Sequence, residues 1–212
     1  GGLALEGLWQ IRAIAEKATA LLAGPGLGRG KETQALLKDL AGEWDKPVAL
    51  DADALQPELV EAFRRAGNSA LVVTPHDGEF KRLSRAEDVS DAAALRYAKG
   101  NGLCLVKKGS ATRVSDGERL WVNPTGNAVL ARGGSGDLLA GMIGGLLARM
   151  GDDPELAACA AVYWHGKAAD LLAGARGQTA TRTTELLDFL SEALQFGDVW
   201  NLNSRGPKRT GS

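Results

Sequence analysis

The chain has 212 residues, 44% of them apolar and 24% charged, with a formal net charge of -1 at pH 7. That length suits one domain with a substantial core, and so small a net charge leaves no electrostatic footprint for nucleic acid. No charge-free apolar run reaches about eighteen residues and no signal peptide is visible, so the sequence predicts no membrane span and a cytoplasmic protein.

Hydrophobic periodicity and turn residues predict alternating elements. A helix is expected over 3–17, then a strand over 19–23 that ends at the turn Gly24-Pro25-Gly26-Leu27-Gly28. A helix over 31–43, a strand over 47–50 ending at Asp51, and a helix over 57–65 opened by proline follow. The next strand, 70–73, runs into Thr74-Pro75-His76, and a helix pair fills 77–101. A strand over 103–107 leads to Lys108, and segments 112–115 and 119–123 form a hairpin around Asp116-Gly117. Helices over 137–150, 154–172 and 183–194 close the domain. Repeated βα units with short apolar strands predict an α/β fold, a central mostly parallel sheet with helices on both faces. Residues 1–195 are read as the domain and 196–212, with Lys208-Arg209, as a tail.

Cys104 falls in an expected strand and Cys159 in an alanine-rich helix, too far apart in sequence for a disulfide framework or a metal site. His76 and His165 are also far apart, with no second histidine at ligand spacing, so no protein-bound metal is expected.

The polar turns gather after the carboxyl ends of the predicted strands, where open α/β sheets bind ligands. Asp51 and Asp53 are as readily turn or capping residues as ligands, whereas His76 at a strand end faces the crevice. Of Lys107 and Lys108, strand alternation turns one toward it. The most informative stretch is 123–148, NPTGNAVLARGGSGDLLAGMIGGLLA, in which a glycine cluster runs into an acidic residue and a helix-forming segment. Gly133, Gly134 and Gly136 let consecutive N–H groups face one concavity, and the amino end of the following helix favours a phosphate. Asp137 would then stand beside that anion site as a base for a hydroxyl proton, although an acidic residue there also suits a helix cap. The pairing suggests phosphoryl transfer.

Other familiar motifs fail. GPGLGRGKET at 24–33 has Pro25 where a P-loop needs its first glycine and Glu32 after Lys31, and no window there satisfies GxGxxG. GGSGD has Asp137 where a nucleophile elbow needs glycine, which makes Ser135 a turn residue rather than a hydrolase nucleophile.

GPGLG, LDADAL, TPHDGE, KKGSAT, NPTGN and GGSGDLLAGMIGGLLA, in this order, resemble the carbohydrate-kinase-like domain of ADP/ATP-dependent NAD(P)H-hydrate dehydratases over residues 21–190. The resemblance implies a ribokinase-like fold and a lyase that restores hydrated NADH or NADPH (NADHX, NADPHX) at the expense of ADP or ATP with Mg2+. It implies Asp137 as the catalytic base and a substrate contact. Gly24, Gly26, Gly28 and His76 would line the substrate side. The nucleotide would be held by Lys108, Gly109, Ser110, Ala111, Thr112, Asn123, Asn127, Gly133, Gly134, Ser135 and Gly136. A homo-oligomer and a fused or separate NAD(P)HX epimerase are the partners that it leaves open.

Two departures stand out: Asp77 where the family has proline, and Arg132 where threonine is common, a residue that could bind phosphate instead. The family pattern also begins earlier, which predicts further residues before Gly1 that complete the substrate side. The alternatives are a vitamin-pathway kinase of the same fold and a catalytically silent nucleotide-binding module.

Overall fold

Six strands stand side by side in chain order in the computed structural model, which describes residues 7–67 and 70–195. Strands β1 (Leu21–Ala23), β2 (Val48–Leu50), β3 (Leu71–Val73) and β4 (Cys104–Lys107) run parallel, and β5 (Arg113–Ser115) and β6 (Leu120–Val122) continue the sheet as an antiparallel hairpin. The parallel strands are short and apolar because both faces are covered.

Alternation along each strand divides the core. Leu21 and Ala23, Val48 and Leu50, Leu71 and Val73, and Leu103 and Leu105 face one layer, built by α1 (Leu8–Ala15), α2 (Lys31–Glu43), α3 (Pro57–Arg65), α4 (Asp77–Ser84) and α5 (Asp91–Asn101). Leu22, Ala49, Val72, Cys104 and Val106 face the other, built by α6 (Ser135–Met150) and α7 (Pro154–Arg176). Helix α8 (Leu186–Gln195) closes a third cluster against α7 around Leu172 and Leu186. Complete burial of each leucine or valine contributes about 1.5–3 kcal/mol, so the two layers carry most of the stability.

Local chemistry explains the boundaries. Pro57 opens α3, Glu58 lies in its first turn, and Arg64 and Arg65 lie in its last. The Ser90 hydroxyl accepts from the Ala93 N–H at 3.2 Å to start α5, and Gly102 at φ 60° ends it. In the hairpin, Asp116 Oδ1 accepts from the N–H groups of Glu118 and Arg119 at 2.8 and 2.7 Å.

Several expected boundaries shift. Of the first expected helix, residues 3–6 lie outside the described residues and α1 covers Leu8–Ala15. Helix α6 starts at Ser135 rather than at 137, because Gly134 at φ 85° is its N-cap, and α7 continues to Arg176. A single 3-10 turn, Thr183–Glu185, precedes α8. The expected tail, 196–212, lies outside the described residues. The cysteines, distant in sequence, are brought into one core: Cys104 belongs to the α6/α7 layer and Cys159 packs against it, both as free thiols. Burial pushes the Cys159 thiol up to about 12 and raises the Cys104 thiol well above its ordinary value, so both are inert packing residues.

Candidate active site

The residues that follow the four parallel strands make one row along the carboxyl edge of the sheet. Gly24, Asp51, Thr74 and, two positions past the matching register, Lys108 carry on the parity of Leu22, Ala49, Val72 and Val106, and so share the face covered by α6. Gly24 is obligatory: at φ 139° a Cβ there would sit 1.7 Å from the Asp51 carbonyl oxygen. Asp51 is buried, and its Oδ1 accepts from the Thr74 hydroxyl at 2.6 Å and from the Lys108 ammonium at 2.7 Å. Lys107, of opposite parity, points into the other layer and donates to the Val89 carbonyl and to Asp77 at 2.8 and 3.4 Å. The charge that Asp77 introduces is thereby paired.

His76 is the N-cap of α4. Its Nδ1 accepts from the N–H groups of Gly78 and Glu79 at 3.0 and 3.3 Å, while the Glu79 carboxylate accepts from the His76 N–H at 2.9 Å. This reciprocal capping box places the ring proton of the neutral imidazole on Nε2, facing Glu79 at 3.6 Å.

A cleft of about 620 Å³ opens between this edge and the amino end of α6. Of the residues singled out from the sequence, His76, Lys108, Gly109, Ser110, Thr112, Asn123, Asn127, Ser135 and Gly136 line it. Ala111 does not; its carbonyl accepts from Arg113 instead. Gly133, Gly134 and Asp137 lie beyond the lining, with Asp137 exposed in the first turn of α6. Gly24, Gly26 and Gly28 are also outside it, at the end of β1, where the Gly28 N–H donates to Asp53 Oδ2 at 3.0 Å. Asp53 thus fixes the turn and Arg29, whose Nε reaches its other oxygen at 3.0 Å.

The amino end of α6 presents backbone donors. The Ser135 N–H is taken by the Arg132 carbonyl and that of Leu138 by Gly134, so helix geometry leaves the amides of Gly136 and Asp137 for a ligand. Ser135 is not a turn residue but the first residue of α6, buried, with its hydroxyl 3.3 Å from His165 Nε2. Burial pushes His165 down to about 4, with a hydrogen bond to the Ser135 backbone opposing it, so this cleft-lining imidazole is neutral.

The NPTGN loop is fastened to α7. The Thr125 hydroxyl donates to the Tyr163 carbonyl at 2.9 Å, and Asp170 accepts from the Gly126 N–H and from Asn127 Nδ2 at 3.0 and 2.9 Å. Asn123 Nδ2 donates to the Thr125 carbonyl at 2.8 Å. The two asparagines therefore shape the loop with their amides. Gly166 is required beneath it, since a Cβ there would lie 2.3 Å from the Thr125 hydroxyl.

Sequence reasoning missed Gly166 and Asp170 and weighed His165 only as a metal ligand, although with Val162 the three repeat at helical spacing along one face of α7. Arg132 is not a free phosphate ligand: its guanidinium donates to the carbonyls of Gln178 and Thr179 at 2.6 and 3.0 Å, strapping the loop before α8. Thr183 adds a bond to the Gly133 carbonyl at 2.9 Å.

A helix end with open amides, a lysine beneath it and a mixed polar and apolar cleft suit a phosphorylated nucleotide. A family model described as NAD(P)H-hydrate dehydratase matches residues 6–192. The chain belongs to that family. It is 36% identical over 203 residues to the bifunctional NAD(P)H-hydrate repair enzyme Nnr of Moorella thermoacetica, covering 92% of this chain and 38% of that protein. The chain thus spans less than two fifths of that relative's length. The ADP/ATP-dependent NAD(P)H-hydrate dehydratase from Bacillus subtilis, co-crystallised with ATP/Mg2+, superposes with a TM-score of 0.69 at 32% identity, covering 84% of this chain and 64% of that one. A ribokinase-like superfamily protein from Enterococcus faecalis gives 0.74 at 26% identity, over 92% and 69% of the two chains. The fold is ribokinase-like.

Among the described residues no group of three or more His, Cys, Asp or Glu could hold a metal ion, and no helix is long and apolar enough to cross a membrane. A magnesium ion brought by nucleotide phosphates fits such a site, because Mg2+ keeps most of its waters and needs few protein ligands.

Proposed function

We propose that this chain dehydrates NADHX and NADPHX to NADH and NADPH, consuming ADP or ATP, and acts in the cytoplasm as a metabolite-repair lyase. The observation that carries the reading is the convergence of Lys108, the Gly109-Ser110 turn and the Gly136 amide on one cleft at the amino end of α6. The nucleotide's phosphates lie against that helix end, with Ser110, Thr112 and the NPTGN loop along its flank. Magnesium, were it to arrive with the nucleotide at the cleft lined by Lys108, Ser110 and Gly136, would supply charge neutralisation at the transferred group.

The hydrated ring's hydroxyl is a poor leaving group until it is phosphorylated. Asp137, exposed beside the helix end, accepts the hydroxyl proton as the oxygen bonds to the terminal phosphorus, and AMP or ADP departs. The ring nitrogen's lone pair then expels inorganic phosphate, and the neighbouring ring carbon loses a proton. The sum is loss of water from the ring and hydrolysis of one phosphoanhydride, with no redox change. His76 and the glycines of the Gly24–Gly28 turn stand on the substrate side. The bifunctional relative's name supports a second activity beside this one, and an NAD(P)HX epimerase is the partner that we propose.

Recovery of reduced-nicotinamide absorbance from NADHX with ADP, ATP or neither tests this directly. Dehydration is expected only with nucleotide, and Asp137→Asn is expected to slow it about 10²–10⁴-fold while nucleotide still binds. Nucleotide consumption on a hydroxymethyl or hydroxyethyl substrate instead would favour the kinase of the same fold. Binding without turnover of either substrate would favour a silent module.

A further inference from the structure

We infer that Asp51 is a positioning residue for the nucleotide site: with Thr74 it holds the Lys108 ammonium beneath the amino end of α6, where the phosphates are received. The inference rests on the nucleotide reading above. Four observations carry it. Lys108 is the first residue after β4 and faces α6 by strand parity, yet its side chain reaches back to a carboxylate at the end of β2, 57 residues earlier. That carboxylate is buried, with its side chain 2% exposed, whereas Lys108 keeps 20% of its side chain open to the cleft. The Thr74 hydroxyl fixes the same oxygen, Oδ1, at 2.6 Å, and Glu79 Oε2 stands 3.8 Å from the ammonium. Finally, a Cβ on Gly136 would lie 3.4 Å from Lys108 Nζ, so the ammonium sits directly against the second residue of the helix.

A cation at the positive end of a helix is unfavourably placed by itself. Asp51 and Glu79 hold it there, and an arriving phosphate gains both the ammonium and the helix amides without reorganising either. A strut that merely joined β2 to β4 would need neither the exposed ammonium nor its approach to Gly136.

The two roles separate in a double-mutant comparison of Asp51→Asn, Lys108→Met and the pair together, read by urea unfolding and by calorimetry with ADP and Mg2+. Removing one member of a buried pair leaves the other uncompensated, so each single variant loses stability, and the double variant regains it. The expected result is that Asp51→Asn and Lys108→Met each weaken ADP binding about tenfold, the loss of one charge-assisted contact, and that the double variant binds no better than Lys108→Met. ADP affinity at the wild-type level in Asp51→Asn, or restored in the double variant along with its stability, overturns the inference. Should Asp51→Asn fail to fold, Thr74→Val, which removes the other bond to Oδ1, is expected to weaken ADP binding in the same sense, and wild-type affinity there overturns the inference. Failure of wild type to bind ADP overturns it as well, whereas ADP binding without dehydration of NADHX removes the proposed activity and leaves the role of Asp51 standing.

Discussion

At the scale of single residues, the site is made by side chains whose polar atoms are already engaged. His76 spends Nδ1 on the cap of α4, and Asn127 spends both ends of its amide on Val129 and Asp170. His165 shows what such engagement implies for stability. Its folded pKa, about 4, lies below the ordinary 6.5, so the unfolded chain takes up a proton in a pH range where the folded chain does not. Stability from this group is complete above about pH 6.5, falls as the pH drops, and stops falling near the folded pKa, a total of roughly 3 kcal/mol. Urea unfolding at about pH 7.5 and about pH 5.5 therefore shows wild type losing about 1.4 kcal/mol more than His165→Gln between the two. Equal losses would mean that His165 does not carry this pH dependence.

At the scale of elements, the NPTGN loop and α7 form one unit. The helix contributes a missing side chain at 166, a carboxylate at 170 and carbonyls at 162 and 163, and the loop fits over them. Gly166→Ala puts a methyl 2.7 Å from the Thr125 carbonyl oxygen as well as 2.3 Å from its hydroxyl, and the backbone cannot yield without moving the loop. The expected cost is about 1–3 kcal/mol in urea unfolding, with weakened ADP binding by calorimetry. Gly174→Ala, on the same helix and facing open space, is the control and is expected to stabilise by about 0.5–1 kcal/mol. If both substitutions behave alike, the close packing at 166 does not constrain the loop.

At the scale of the molecule, the cleft is bounded by parts distant in sequence: strand ends, the NPTGN loop, the start of α6 and the middle of α7. A ligand that bridges them adds its binding free energy to the folded state alone. Mg2+ with ADP or ATP is accordingly expected to raise the melting temperature, by about 2.7 kcal/mol of added stability at a hundredfold excess over Kd, and NADH alone to do less. No shift with either nucleotide in a folded sample would count against the cleft as their site.

What was legible in the sequence was whatever local chemistry controls. The order of strands and helices, the parallel sheet with two covered faces, the Asp-Gly hairpin and the gathering of polar turns at the carboxyl edge follow from periodicity, proline, glycine and capping residues, which act within a few positions. The same signals brought His76, Lys108 and Gly136 under consideration, and the family resemblance added Ser110 and Thr112. Tertiary structure alone decided how those residues are used, because their partners lie across the fold. Lys108 finds Asp51 only when β2 and β4 stand on either side of β3, His165 meets Ser135 only when α7 packs on α6, and Arg132 turns away from the cleft because two carbonyls before α8 are within reach. A long side chain chooses among partners by distance in space, and distance in sequence carries no information about that choice.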